Sequence, residues 1–171
     1  MDMPHESAEP SRLSLLWDTI QESEDYPLFR LVYLSRPKGA FADEDLDEIE
    51  EKSVNNNSER DVTGLLIVNG DKVLQILEGP EKEVRELYAK IEADDRHEVV
   101  KLLDPVEDDI RYLMTWNMVV RRLTGIPTEV LEQFNQVYNE LLEAPSEAEI
   151  SLEHIELFKT ISLLGSIQPA G

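Results

Sequence analysis

Val62-Thr63-Gly64-Leu65-Leu66-Ile67-Val68-Asn69-Gly70-Asp71-Lys72-Val73-Leu74-Gln75-Ile76-Leu77-Glu78 reads as two strands and the turn that joins them. Asn69-Gly70-Asp71 between apolar runs is a strong hairpin signal, because glycine accepts the backbone conformation a tight turn needs. Successive strand residues point to opposite faces, so Leu65 and Ile67 lie on one side and Leu66 and Val68 on the other. Both faces are apolar, and both must be covered. Gln75 breaks the pattern: it shares a face with Val73 and Leu77, where an amide without a partner would cost roughly 1–3 kcal/mol. Something polar must therefore meet it: another side chain, a water or a ligand.

The chain on either side supplies the rest of a sheet. Phe29-Arg30-Leu31-Val32-Tyr33-Leu34-Ser35 reads as a strand, ended by the turn residues Arg36-Pro37-Lys38-Gly39. Asp43 to Asn56 reads as a helix with Leu46, Ile49 and Ser53 along one side. Pro80 suits the first turn of a second helix carrying Val84, Leu87, Tyr88 and Ile91. Val99 to Leu103 and Leu113 to Val120 close the series as strands. The order βαββαββ implies an α+β ferredoxin-like plait with one strand added, its two helices on one face of a mainly antiparallel sheet.

Cover for the second face is available downstream. Segments 127–142 and 150–164 carry Val130, Leu131, Phe134, Val137, Tyr138 and Leu141, then Leu152, Ile155, Phe158 and Ile161, at helical spacing. Pro127 opens the first, and Ser146-Glu147-Ala148-Glu149 matches a capping box before the second. Upstream, residues 1–10 have the composition of a tail. Leu13, Leu16, Trp17 and Ile20 fall on one stripe of a short amphipathic helix, expected either to complete the cover or to form a subunit contact. The expected organisation is a tail and helix over 1–27, the plait over 28–124 and a helical extension over 125–171.

Composition narrows the function. The 171 residues include no cysteine, which excludes disulfides, thiolate metal sites and a cysteine nucleophile, and is compatible with a reducing cytoplasm. Thirty-seven acids against sixteen bases give a formal charge of −21, which repels nucleic-acid backbones and anionic lipid. A solvated acidic surface accounts for it; a halophilic source or a basic partner would do so too. The N-terminus lacks the basic and apolar regions of a signal peptide, and no apolar run approaches membrane-spanning length. A cytoplasmic protein without nucleic-acid or membrane partners is expected.

The remaining polar positions converge. In a plait the first and third strands are central neighbours, so Tyr33 on the first can face Gln75 on the third. The helix periodicity 46, 49, 53 extends to Asn56 or Asn57, although asparagine also commonly ends helices. Lys90 and Asp94 are four apart and, taken alone, read as a surface ion pair. Trp116 and Met118 share a face of the last strand, where ordinary core packing would explain them.

Taken together, Leu31-Val32-Tyr33-Leu34-Ser35, Asn56-Asn57, Val62-Thr63-Gly64-Leu65-Leu66, Leu74-Gln75-Ile76-Leu77-Glu78-Gly79-Pro80, Asp94-Asp95-Arg96-His97 and Trp116-Asn117-Met118 resemble the BLUF domains, sensors of blue light using FAD. The resemblance runs from about Phe29 to Leu123 and implies a flavin held between the two helices and the sheet. It implies Tyr33 as photochemical electron and proton donor and Gln75 as the bridge from its hydroxyl to the flavin. Asn57 would bond the ring's carbonyl edge, and Asn56 would contact the ring nearby. Trp116 and Met118 would report the light state, Ser35 and His97 match with less defined roles, and Lys90 and Asp94 complete the cofactor set. Lys90 stands where the family usually has arginine, Asp61 where it often has glycine and Asn117 where it has serine. FAD is expected, with FMN open. The implied function is a blue-light photoreceptor without enzymatic output of its own, acting through an unidentified protein effector or a homo-oligomer, dimer or larger. An acylphosphatase-like hydrolase, for which Arg36-Pro37-Lys38-Gly39 is a faint anion loop, and a flavin-free regulatory module are the alternatives.

Overall fold

The computed structural model describes residues 28–39, 43–113 and 118–166, without the side chains of 43, 54–58, 165 and 166. Its elements are β1 (Leu28–Pro37), α1 (Asp43–Arg60), β2 (Thr63–Asn69), β3 (Lys72–Gly79), α2 (Glu81–Glu92), β4 (His97–Leu102), β5 (Val106–Asp108), β6 (Val119–Arg122), α3 (Thr128–Glu143) and α4 (Leu152–Ser166). The strands form one sheet ordered β4-β1-β3-β2-β6, with β5 pairing β1 off that path. All described pairings are antiparallel except β2 with β6, which is parallel. The α+β plait stands, with one short strand, β5, more than the sequence pattern suggested.

The hairpin forms as read. Asn69 pairs Lys72, and Gly70 turns the chain at φ +62°, a conformation open to glycine. The alternation along β1, β2 and β3 separates two cores. Val32, Leu34, Leu65, Ile67, Leu74 and Ile76 pack under α3 and α4, against Phe134, Tyr138, Leu141, Ile155, Phe158 and Ile161. Phe29, Leu31, Tyr33, Leu66, Val68, Val73 and Leu77 face the other way, toward Leu46 of α1 and Val84 and Tyr88 of α2. The C-terminal helices thus cover the second face, as the doubly apolar strands required. The 13–20 segment lies outside the described residues.

Several local expectations need correction. The asparagines do not end α1, which runs on to Arg60 before Asp61 adopts φ 60°; Asp61 breaks the helix by taking the left-handed conformation. Ser146 does not cap α4. Ser151 does: its Oγ accepts the His154 amide at 3.1 Å, and its own amide donates to His154 Nδ1 at 3.1 Å, a reciprocal box in which histidine takes the usual place of glutamate. Among the described residues the last strand is Val119–Arg122, with Leu113 and Met118 outside it; residues 114–117 of the expected Leu113–Val120 strand lie outside the described residues. β4 runs from His97 to Leu102 rather than from Val99 to Leu103.

A candidate site floored by a tyrosine–glutamine pair

The β1–β3 register sets Tyr33 opposite Gln75, and on a shared face their side chains meet. The Tyr33 hydroxyl donates to Gln75 Oε1 at 2.5 Å, and Gln75 Nε2 donates to Met118 Sδ at 3.6 Å. Both are buried, at 2% and 3% exposure. Burial, with smaller contributions from Tyr88 and Asp94, pushes the Tyr33 phenol well above its ordinary range, so it is a hydrogen-bond donor at any working pH. Tyr88 and His97 flank its ring at centroid distances of 5.6 and 6.1 Å.

Above this pair, α1 and α2 leave a half-open cleft of about 210 Å³. Tyr33, Leu66, Val73, Gln75 and Met118 line it from the sheet side; Ile49, Lys52 and Ser53 come from α1, and Leu87, Lys90 and Ile91 from α2. Asp94, Arg96 and His97 close one end. Leu87 and Ile91 are half-buried: they pack against the core on this face of the sheet and also line the cleft. Gly64 matters to its shape: a Cβ there would stand 3.0 Å from the Met118 methyl and 3.2 Å from the Ile76 carbonyl.

The sequence-derived residues divide. Tyr33, Gln75, Met118, Lys90, Asp94 and His97 converge on the cleft. Ser35 does not line it: it is fully buried, beside a bulge in the β1–β4 pairing, and its carbonyl accepts the Tyr138 hydroxyl at 3.0 Å. Trp116 lies outside the described residues, as do the side chains of Asn56 and Asn57, whose backbone continues α1. The Lys90–Asp94 ion pair gives way to another. Asp94 takes Arg96 Nη2 at 2.6 Å and the Arg96 amide at 2.9 Å, and Arg96 holds its carboxyl down at about 2. Lys90 is left exposed at the rim of the cleft. His97 Nε2 lies 2.6 Å from the Ile91 carbonyl and ties the end of α2 to β4. Ser53, Lys52 and Arg96 were missed as site residues; the four-residue spacing of Ile49 and Ser53 was the available signal. In the faint anion loop Arg36 is exposed, and the Lys38 amide is committed to the Arg96 carbonyl at 2.9 Å rather than free for an anion.

A cleft with apolar walls and an amide in its floor suits a flat, largely apolar ring bearing polar edges. The comparisons agree: residues 28–119 match the family BLUF, described as sensors of blue-light using FAD. The chain belongs to the BLUF family. It is 42% identical over 80 residues to the blue light- and temperature-regulated antirepressor BluF of Escherichia coli (strain K12), an alignment covering 44% of this chain and 19% of that protein. The structure of BlrB, a BLUF protein, in its dark state superposes with a TM-score of 0.62 at 27% identity, over 81% of this chain and 97% of that one. A bacterial light-regulated adenylyl cyclase gives 0.57 at 29% identity, over 78% of this chain but 40% of its own. This BLUF chain therefore spans well under half of the antirepressor and the cyclase. FAD is the family's flavin, and FMN accompanies a further structural neighbour, BlrP1 of Klebsiella pneumoniae. Among the described residues no helix is long and apolar enough to cross a membrane, and no cluster of His, Asp and Glu could hold a metal ion.

Proposed function

We propose that the chain senses blue light through the Tyr33–Gln75 pair and passes its state to a protein effector or to a second copy of itself. The observation that carries this reading is the buried hydrogen bond from Tyr33 to Gln75 Oε1 in the floor of the cleft between α1 and α2. A flavin bound there supplies a blue-absorbing oxidant. Tyr33, protonated and desolvated, would supply an electron to that oxidant while its hydroxyl proton moved toward Gln75, and both would return to Tyr33 on recombination. Gln75 is the switch, because one amide group carries both a donor and an acceptor, and rotation or tautomerisation exchanges which of the two it presents. That exchange breaks its donation to Met118 Sδ, and Met118 leads directly into β6. Asp94, charged and oriented by Arg96, offers an acceptor for a ring N–H, while Lys90 and Asn57 would hold the carbonyl edge. Lys90 contributes a point charge rather than a two-pronged donor. Ile49, Leu66, Leu87 and Ile91 exclude water from the ring faces.

Purified protein is expected to be yellow and to show a reversible red shift under blue light. Folded protein that stays colourless after incubation with FAD overturns the proposal. The same irradiation, followed by mass measurement in solution with and without residues 1–24, tests the oligomer branch: a mass indifferent to both light and deletion leaves the separate effector.

A further inference from the structure

On the face opposite the cleft, β3 carries a buried charge that the photochemistry does not use. Glu78, three residues after Gln75, is 1% exposed. It accepts Arg30 Nε at 2.8 Å, the Tyr112 amide at 2.9 Å and the Leu113 amide at 2.7 Å. Arg30 is its cross-strand neighbour and continues outward to Asp108 Oδ2 at 3.1 Å and the Ile110 carbonyl at 2.8 Å, with its guanidinium 4.1 Å from the Tyr112 ring centroid. Arg111 adds bonds to Thr63 Oγ1 at 3.0 Å and the Asp61 carbonyl at 3.1 Å. Residues 110–113, just beyond β5, are thus fastened to the ends of β1, β2 and β3 through side chains rather than by strand pairing. Five residues beyond Leu113, on the opposite face, stands Met118 against Gln75.

A buried ion pair adds little stability over apolar residues of the same shape, and its best-attested use is to fix a register. We infer that Glu78 is a positioning residue of the light response: it anchors residues 112–113 and so sets where the chain presents Met118 to Gln75. The inference rests on the photosensor reading. With residues 112–113 fixed, a change at Gln75 is taken up at Met118 and in β6. The same restraint holds Met118 Sδ where it accepts the Gln75 amide, and so favours the amide's return to that orientation after light.

The test uses full-length, flavin-loaded protein. Glu78→Gln puts amide hydrogens against either Arg30 or the two backbone N–H groups; Arg111→Gln loosens the same segment without disturbing a buried charge. Each variant is irradiated, and the amplitude of the red shift and its decay in darkness are recorded. Amide exchange at Leu113 is measured in the dark. Both variants are expected to form the shift with wild-type amplitude and to lose protection at Leu113. Both should recover about threefold more slowly, a change of roughly 0.65 kcal/mol in the barrier. A purely structural role would lower stability and leave recovery unchanged. Wild-type recovery in both folded variants, or in Arg111→Gln if Glu78→Gln does not fold, overturns the inference. Absence of any shift in the wild-type protein overturns the photosensor reading and this one with it.

Discussion

Removing Gln75 from flavin-depleted protein tests the central hydrogen bond without any photochemistry. Gln75→Leu leaves the Tyr33 hydroxyl, 2% exposed, without the acceptor that lies 2.5 Å away. A buried donor so stranded costs about 1–3 kcal/mol. Tyr33→Phe strands the other partner, Gln75 Oε1, at a cost of the same order, although the Gln75 amide keeps its contact with Met118 Sδ. In the double variant both partners are apolar and neither leaves an orphan, a replacement that can be nearly neutral. The costs should therefore be strongly non-additive, the double variant being more stable than the sum of the singles by about 1–2 kcal/mol. Urea denaturation of the four proteins of the cycle measures it, with unchanged slopes confirming that the same surface unfolds. In flavin-loaded protein each single variant should keep its colour and lose the normal red shift. Additive costs, or a wild-type difference spectrum in Gln75→Leu, would refute the reasoning.

The Asp94 carboxyl, lowered from 3.8 to about 2 chiefly by its hydrogen bond to Arg96, stabilises the fold above the unfolded value of 3.8; that contribution is lost as pH falls through the folded value. NMR titration of the carboxyl carbon should place its midpoint near 2 and find it moved upward in Arg96→Gln; an unmoved midpoint contradicts the assigned cause. Gly79→Ala would bring a Cβ to 2.9 Å from the Asp61 carbonyl and 3.2 Å from Val62 Cα, backbone that cannot swing aside, so thermal melting should show a loss of about 1–3 kcal/mol. Ser151→Ala removes the cap of α4 and should cost about 1 kcal/mol while leaving flavin binding untouched; loss of the flavin would place α4 closer to the cleft than the fold does.

The pair of strands around Asn69-Gly70-Asp71, their two apolar faces and the need for covers on both sides were legible in the sequence, because strand alternation and turn chemistry are local properties. The Tyr33–Gln75 encounter was legible too, since a glutamine in an apolar strand demands a partner and the plait supplies a tyrosine across the register. Local signals failed where competing partners lie close together in the chain. Asp94 had Lys90 four residues before it and Arg96 two residues after it; the chain leaves α2 after Glu92 and bends back into β4, and that bend hands Asp94 to Arg96. Ser146 and Ser151 each began a capping pattern, and the Asp104 amide, bonded to the Ser146 carbonyl at 2.8 Å, keeps the first in a turn. Ser35 shares the Tyr33 face by alternation, yet it lies buried beside the β1–β4 bulge and outside the lining of the cleft. The sequence by itself determined the alternation, the hairpin and the polar residues that had to meet. The tertiary structure alone decided that Glu78 and Arg30, distant in the chain and unremarkable on it, fasten the segment ahead of Met118, because long-range pairing sets which buried charges become neighbours.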